Sequence, residues 1–243
     1  MIEIKNLTKV FSQTKALDNV NLKVGRGEIF AFLGPNGAGK TTTVKIMSGI
    51  IMPTSGCCLV YGKDVVKDVL AVKKEIAYIP DEPFVYNKLS GYEFLRFIGD
   101  IYNIDVDFQK KEIPKLLEMF DLSKEGDELL ESYSHGMRQK LLIAAVLLRK
   151  PRVILFDEPT VGLDPKSIKK FKNLLHELAS KGTIIFMCTH ILEMAEKLCT
   201  KAAIINSGRI IAEGSIDELK RKGSSGGGEK QSLEDAFLKI TEG

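Results

Sequence analysis

The sequence predicts an α/β fold in which an antiparallel β layer opens the chain, a core of mainly parallel strands follows, and a helical subdomain is inserted into that core. Three observations predict it. Short segments of alternating apolar and polar residues fill the first thirty-odd positions, a pattern typical of half-buried strands. After Leu33, strand and helix patterns alternate, as expected of parallel strands with helical crossovers. Between about Ser90 and Lys150, strand signals disappear and apolar residues recur at helical spacing.

The opening β layer and the turn after it are the first predicted elements. Apolar residues alternate with polar ones around Ile2, around Val20 and over Ile29 to Leu33, and Asn or Gly residues bound each piece. Such boundaries are typical of short strands joined by turns. A glycine-rich turn then leads from Leu33 into a helix that is predicted to run to about Gly49.

The helical subdomain is predicted from three periodic segments. Tyr92 to Asn103 and Phe108 to Leu122 carry apolar residues at helical spacing. The last helix begins at Ser134, whose hydroxyl is a good N-cap, and it ends before Pro151. Because this helix is almost wholly apolar in its second half, we expect it to enter the core.

The second part of the core contains two short apolar runs flanked by helices, which are typical of central parallel strands buried on both faces. They are Val153 to Phe156 and Thr183 to Cys188. A strand pair, Ala202 to Ile205 with Arg209 to Ala212, closes the core. We therefore divide the chain into a core made of two parts, residues 1–89 and 151–222, and the helical subdomain, residues 90–150. Residues 223–243 form a flexible linker over Gly223 to Lys230 and a short amphipathic helix, Leu233 to Ile240.

Composition excludes several classes of protein. The 243 residues are 44% apolar and 28% charged, and the net charge of +3 comes from scattered Lys and Arg residues, so no nucleic-acid partner is predicted. The longest apolar run, Leu141 to Leu148, is far below the ~20 residues that span a bilayer. The cysteines show neither zinc spacing nor a disulfide framework. The first residues show no secretory signal pattern, which predicts a cytoplasmic location.

A phosphate-binding loop lies between the third strand and the first helix. The segment Gly34 to Thr41 matches G-x-x-x-x-G-K-[ST], and a strand before it with a helix after it is the context that this motif requires. Backbone N–H groups and the helix N-terminus would hold the phosphates, with Lys40 adding a charge and Thr41 a metal-binding hydroxyl. The predicted nucleotide contacts are Gly34, Pro35, Asn36, Gly37, Ala38, Gly39, Lys40, Thr41 and Thr42.

A carboxylate pair follows the apolar strand at Val153 to Phe156. Asp157, at the strand end, is predicted to hold Mg²⁺, and Glu158 is predicted to orient and polarise the attacking water. The alternative is a solvated acidic turn, although two carboxylates next to an apolar strand are costly without a cation.

The rest of the chain decides between nucleotide-binding families. A guanine reader would carry N-K-x-D, whereas this chain has Asn87-Lys88-Leu89-Ser90. Further motifs resemble those of the ABC ATPase family and occur in the family's order. They are the D-loop (Val161 to Asp164), the pair Thr189-His190 directly after a strand, with His190 as the switch histidine, and a signature segment, Tyr133 to Met137, followed by Arg138 and Gln139.

The resemblance implies roles for individual residues. His190 would act with Glu158 and Lys40 in ATP hydrolysis, although a lone histidine after a strand is more often a packed core residue. Ser134 and Gly136 would grip an ATP molecule that is bound to a second subunit. Phe11 would stack on the adenine, with an ordinary core role as the alternative.

Two motifs depart from the family pattern. The signature is usually L-S-G-G-Q, but here His135 replaces the first glycine, Tyr133 the leucine and Met137 the glutamine. Where the family places a glutamine after Tyr78-Ile79-Pro80, this chain has Asp81, which we take as a further candidate ligand of Mg²⁺. Both variants resemble those of bacterial exporter subunits.

The sequence thus predicts an ATP-binding and ATP-hydrolysing subunit of an ABC transporter. It would bind ATP and Mg²⁺ and pair as a homodimer or heterodimer. It would also power export through separate transmembrane permease subunits, on the inner face of the cell membrane. The alternatives are an ABC ATPase acting on DNA or ribosomes, which would need a long coiled coil or a second cassette, and a non-hydrolysing switch. The presence of Lys40, Glu158 and His190 disfavours the switch.

Overall fold

The computed structural model describes residues 1–159, 164–222 and 232–242, and these residues form two β-sheets with helices on their faces. In chain order, the strands of the described residues are β1 (Ile2–Phe11), β2 (Thr14–Val24), β3 (Ile29–Leu33), β4 (Ser55–Val60), β5 (Lys63–Asp64), β6 (Ile76–Ile79), β7 (Val153–Asp157), β8 (Ile184–Thr189), β9 (Lys201–Asn206) and β10 (Arg209–Ser215). The smaller sheet has the order β2-β1-β4-β5 and is antiparallel.

The described residues also form nine α-helices, and a 3₁₀ turn over Leu130–Ser132 precedes the fifth of them. They are α1 (Lys40–Met47), α2 (Val69–Glu75), α3 (Gly91–Ile101), α4 (Val106–Met119), α5 (His135–Arg149), α6 (Pro165–Ser180), α7 (Leu192–Leu198), α8 (Ile216–Lys222) and α9 (Leu233–Glu242). Among these helices, none has the length and apolar character needed to cross a membrane.

The larger sheet has the order β10-β9-β3-β8-β7-β6, and all its neighbouring strands are parallel except β10 and β9. The three central strands β3, β7 and β8 are buried along their whole lengths, as expected for a sheet covered on both faces. The predicted α/β fold, with an antiparallel layer, a parallel core and an inserted helical region, is therefore confirmed.

One strand was assigned to the wrong layer. The sequence pattern grouped Ile29 to Leu33 with the opening antiparallel layer, but this segment is β3, between β8 and β9 of the parallel sheet. Its five residues form an unbroken buried run rather than an alternating one, and a strand of that kind is covered on both faces. Its place in the antiparallel sheet is taken by β4, which pairs with β1.

Two hydrophobic cores lie on opposite faces of the parallel sheet. One joins Phe30 and Phe186 to the antiparallel sheet and to Val44 of α1. The other joins alternate residues of the same strands, such as Ala31, to the apolar faces of the helices, including Leu141 of α5. Because successive side chains of a strand point to opposite faces, each central strand contributes to both cores.

Two serines set the starts of helices in the inserted helical region. Ser90 caps α3 in a reciprocal capping box with Glu93. Ser134 caps α5 by accepting a hydrogen bond from Met137 N at 3.3 Å, as the sequence predicted. Each cap satisfies a backbone N–H that has no partner within the helix.

Candidate active site

The phosphate-binding loop turns from β3 into α1, and two of its glycines are required by close packing. A Cβ on Gly34 would lie 2.4 Å from the carbonyl oxygen of Ile205. Gly39 has a φ of 108°, and a Cβ there would lie 2.6 Å from the carbonyl oxygen of Ala16. Any side chain at either position would displace the backbone of a neighbouring segment, so the loop's shape depends on both glycines.

Lys40 is buried under this loop, with 7% of its surface exposed. Its ammonium group donates to the carbonyl oxygens of Gly34 at 2.7 Å and Pro35 at 3.1 Å. Among the described residues no carboxylate forms an ion pair with it. A buried cation without an anionic partner is costly, and the N-terminus of α1 beside it favours the same kind of ligand, an anion.

A pocket of about 240 Å³ opens above the loop and the end of β7. It brings together most of the residues that the sequence selected. Its lining consists of Ala16, Asn36, Gly37, Gly39, Lys40, Thr41, Thr42, Asp81, Asp157 and Glu158. The phosphate-binding loop, the carboxylate pair and Asp81 therefore face one space.

Asp157 ends β7 and is 5% exposed. Burial raises the pKa of its carboxyl group above the ordinary value, and the negative charges of Glu158 and Asp81 raise it further. A hydrogen bond with Thr41 and the charge of Lys40 act in the opposite direction. A cation bound here would favour the ionised form, which is the form that ligates metal ions.

Glu158 is held by the residues that follow β8. Its Oε2 accepts a hydrogen bond from the Thr189 hydroxyl at 2.9 Å, and its Oε1 accepts one from the backbone N–H of His190 at 3.0 Å. The Nδ1 atom of His190 lies 2.7 Å from the same Oε1. Because three contacts fix one carboxylate, its direction at the pocket edge is set before any ligand binds.

The backbone of Glu158 is also constrained. Its φ of 50° lies in the left-handed region, which is uncommon for residues other than glycine. Its N–H donates to the carbonyl oxygen of Cys188 at 2.9 Å. A conformation of this kind persists where the surroundings impose it, and such residues cluster at active sites.

Three residues at the start of α5, Ser134, His135 and Gly136, form the α5 tip, which lies apart from this pocket. None of them lines it. Ser134 and His135 are exposed, and His135 lines a separate groove of about 520 Å³ with Glu82 and Phe84 among its neighbours. The structure of one chain thus does not bring the α5 tip to its own phosphate-binding loop.

Phe11 and the D-loop complete the set of predicted residues. Phe11 ends β1 and is 46% exposed, with the Lys9 ammonium 4.8 Å from its ring centroid, so the alternative of a core role is wrong. It does not line the pocket, whereas Ala16 does. Of the D-loop, only Asp164 lies within the described residues, and it caps α6 through Ser167.

Two residues contact this machinery in roles that the sequence did not predict, although both belong to segments that carried the resemblance. Thr189 is buried and binds Glu158, and a threonine directly before the candidate histidine was the signal available for it. Gln139 is buried on α5 and donates to the carbonyl oxygen of Pro159 at 3.4 Å. A polar residue at an inward position of an otherwise apolar helix was the signal for Gln139.

Comparison with known proteins gives the family. A family model described as ABC transporter matches residues 17–161. The chain is also 36% identical over 219 residues to a daunorubicin resistance ATP-binding protein of Streptomyces coeruleorubidus, a match that covers 90% of this chain and 69% of the relative. The chain belongs to the ABC transporter family.

Solved structures agree with this ABC assignment. The structure of an ATP-binding subunit of an ABC transporter matches with a TM-score of 0.91 at 32% identity, covering 99% of both chains. A dimeric ATP-binding cassette in a post-hydrolysis state, bound to ADP and Pi, matches with a TM-score of 0.81 at 25% identity over 88% of this chain and 98% of that one. The prediction of an ATP-binding and ATP-hydrolysing subunit of an ABC transporter is confirmed.

Proposed function

We propose that ATP binds between the phosphate-binding loop of one chain and the α5 tip of a second chain, and that Glu158 activates the water that attacks the γ-phosphate. The observation that carries this proposal is the placement of Glu158. Its carboxylate lies at the edge of the pocket that contains Lys40 and Asp157, and Thr189 and His190 fix its direction.

The phosphate-binding loop and its Lys40 would bind the phosphates of ATP. The N-terminus of α1 and the loop's backbone N–H groups attract the phosphates. The Lys40 ammonium, which donates to two loop carbonyls, turns to the β- and γ-phosphate oxygens. Asn36, Gly37 and Thr42 line the same pocket, and the exposed ring of Phe11 offers a face for the adenine.

The residues beside the loop fit a magnesium ion. Thr41 offers a hydroxyl and Asp157 a carboxylate, and Asp81 lines the same pocket. Within the described residues, no group of three or more His, Cys, Asp or Glu side chains forms a metal site, so phosphate oxygens and water would complete the coordination. When bound, Mg²⁺ offsets the charge that develops on the phosphate oxygens.

Hydrolysis then requires a positioned water. Glu158 accepts a proton from this water as the water oxygen forms a bond to the γ-phosphorus. The bond between the γ-phosphorus and the β–γ bridging oxygen breaks, which gives ADP and phosphate. His190, next to the Glu158 carboxylate, holds the water and the γ-phosphate in line. General base catalysis of this kind contributes about 10²–10⁴-fold.

The second chain completes the site. The exposed Ser134 hydroxyl and the free N–H groups at the start of α5 suit a γ-phosphate, yet they do not reach the pocket of their own chain. The dimeric form of the related cassette supports pairing of two copies, or of this chain with a similar one. Bound ATP would then hold the two chains together.

Separate membrane subunits would respond to the closure of the two chains around ATP. The helical subdomain, residues 90–150, would pass closure of the pair to permease subunits, and the groove that His135 and the exposed Phe84 line offers a surface for them. The similarity to a daunorubicin resistance protein supports export. The chain would lie on the inner face of the cell membrane through these partners.

The Glu158→Gln variant tests this proposal. A glutamine keeps the shape of the side chain but cannot take a proton, so we expect turnover to fall by about a hundredfold or more while ATP affinity is kept. The variant should also accumulate as an ATP-dependent dimer, which size-exclusion chromatography with and without ATP would detect.

Glu193→Gln is the matched control. Glu193 lies on α7, close to His190 in sequence, but it is exposed and pairs with Lys197. This variant should retain normal turnover and should not trap a dimer. Normal ATP hydrolysis by the Glu158→Gln variant would contradict the proposed role of Glu158.

A further inference from the structure

Gln139 is a buried polar residue whose hydrogen bonding is incomplete. It is 1% exposed, and its amide nitrogen donates to the carbonyl oxygen of Pro159 across a long 3.4 Å. No donor within the described part of the chain reaches its Oε1 atom. Because a buried acceptor without a donor is destabilising, stability alone does not account for a glutamine here, and groups of this kind call for another explanation.

The next residue of α5 makes a second contact with the same stretch of chain. Lys140 Nζ lies 3.6 Å from Oδ2 of Asp164, and the lysine side chain is largely buried. Asp164 in turn caps α6 by accepting a hydrogen bond from Ser167 N at 2.9 Å. Lys140 therefore binds the carboxylate that begins α6.

Together, Gln139 and Lys140 hold the residues on the two sides of residues 160–163, which are not described. Pro159 is the residue directly after Glu158, and Asp164 is the residue directly before α6. Two successive residues of α5 thus contact Pro159, directly after Glu158, and Asp164, directly before α6.

Glu158 is the residue that these contacts affect. Its left-handed φ of 50° must be imposed by its neighbours. On its N-terminal side, its own N–H is bound by the Cys188 carbonyl of β8. On its C-terminal side, the next residue is Pro159, whose carbonyl oxygen accepts a hydrogen bond from Gln139.

We propose that Gln139 and Lys140 are positioning residues that make the conformation of Glu158 depend on the position of α5. The inference rests on the proposed function, in which Glu158 activates water and the α5 tip contacts the ATP of a second chain. Since the α5 tip and these two residues lie on one helix, a shift of α5 when its tip contacts that ATP reaches Glu158 of the same chain.

The main test is Gln139→Met in the full chain. Methionine matches the length of glutamine without its hydrogen bonds, so we expect kcat to fall about tenfold while the dissociation constant for ATP changes less than about twofold. Gln109→Met is the matched control, because Gln109 is a second buried glutamine of the helical region, 3% exposed, that donates to Ile104 O at 2.8 Å. The control should lower the melting temperature and leave kcat unchanged.

Lys140 supplies a second test that is less demanding for folding. Lys140→Met should lower kcat about threefold, and Lys140→Arg, which keeps the charge beside Asp164, should restore it. If Gln139→Met does not fold, this pair decides the question. Equal activity of the two Lys140 variants and the natural chain would overturn the proposal.

The outcomes also separate this inference from the function on which it rests. Normal turnover in the Glu158→Gln variant would remove both. If Glu158→Gln abolishes turnover while Gln139→Met retains kcat within about twofold, the proposed function stands and the inference is overturned. A Gln139→Met variant that loses ATP affinity and kcat equally would assign Gln139 to general packing, and that result would also overturn the inference.

Discussion

The phosphate-binding loop and the α5 tip both lie at helix N-termini and are both proposed to contact ATP. They differ in how many ligand-binding groups surround them within one chain. The loop is packed against neighbouring segments so closely that Gly34 and Gly39 have no room for a side chain, and it has Lys40, Asp157 and Glu158 around it. The α5 tip is exposed, and its Ser134 hydroxyl oxygen accepts a hydrogen bond in capping its own helix, which leaves the hydroxyl proton for a ligand.

This difference indicates that binding and catalysis are divided between two surfaces. A closely packed loop with a buried cation can bind a nucleotide without help, because its groups are already in place. The α5 tip has no such surroundings within the described part of its own chain, so it can contribute only when another surface brings a nucleotide to it. Variants at the loop should therefore affect ATP binding, and variants at the tip should affect pairing.

The largest effect is expected for Gly34→Ala. The new Cβ would lie 2.4 Å from the carbonyl oxygen of Ile205, so the loop or β9 must move. Overpacking of this kind costs about 1–3 kcal/mol, which corresponds to a loss of ATP affinity of about tenfold to a hundredfold if the cost falls on the loop. Isothermal titration with ATP and Mg²⁺ would measure it.

Gly37→Ala is the control within the same loop. A Cβ at Gly37 would meet nothing within 4 Å, although its φ of 79° makes an alanine there strained. We expect a smaller loss of affinity, of about 1 kcal/mol. If the two alanine variants bound ATP equally well, close packing would not explain the loop's shape.

The sequence predicted the loop better than it predicted the contacts around Glu158 because the loop's chemistry is local. The spacing of Gly34, Gly39 and Lys40 with a strand before them and a helix after them is visible in eight residues. Thr189 and Gln139 escaped prediction because their roles depend on partners that are distant in sequence, Glu158 and Pro159. Their local settings marked both residues as unusual, but no local pattern identifies partners so far away in the chain.

The same reasoning explains the misplaced strand. The pattern of β3 showed a strand, and its unbroken apolar run showed that both faces are covered. Its neighbours β8 and β9 come more than 150 residues later in the chain, whereas β1 and β2 come directly before it. Proximity in sequence therefore favoured the wrong sheet, while strand type alone favoured the right one.

A smaller and different effect is expected at the α5 tip for Ser134→Ala. The variant loses the N-cap of α5, which costs about 1 kcal/mol of stability, and it should bind ATP normally in the single chain. In the Glu158→Gln background, loss of one hydrogen bond to a charged phosphate at each loop–tip contact, about 1.5 kcal/mol per contact, should weaken ATP-dependent pairing by at least about tenfold. Analytical ultracentrifugation would measure that.

Ser90→Ala is the matched control for that prediction. Ser90 caps α3 with the same type of hydrogen bond, so its loss should lower stability by a similar or larger amount and leave pairing unchanged. Equal pairing in the Ser134→Ala and Ser90→Ala variants would place the α5 tip outside the contact between chains.

The smallest effect is expected where neither surface is involved, at the C-terminal helix α9. Glu196 of α7 accepts a hydrogen bond from Lys220 Nζ of α8 at 2.5 Å and one from Leu233 N, the first residue of α9, at 3.0 Å. These contacts, the lysine first, hold the pKa of Glu196 below its ordinary value. One carboxylate thus joins three helices.

The sign of the pH dependence follows from that lowered pKa. A carboxylate whose pKa is lower in the folded state contributes stability above the ordinary value of 4.5, and that contribution is lost as the pH falls through the folded pKa. Glu196→Gln should therefore be less stable than the natural chain at neutral pH, by less than about 1 kcal/mol because the pair is partly exposed. The difference should close in acid below the ordinary pKa, as denaturant unfolding at several pH values would show. ATP affinity and pairing should not change, and a Glu196→Gln variant that lost either would extend the nucleotide-dependent surfaces to the C-terminal helix.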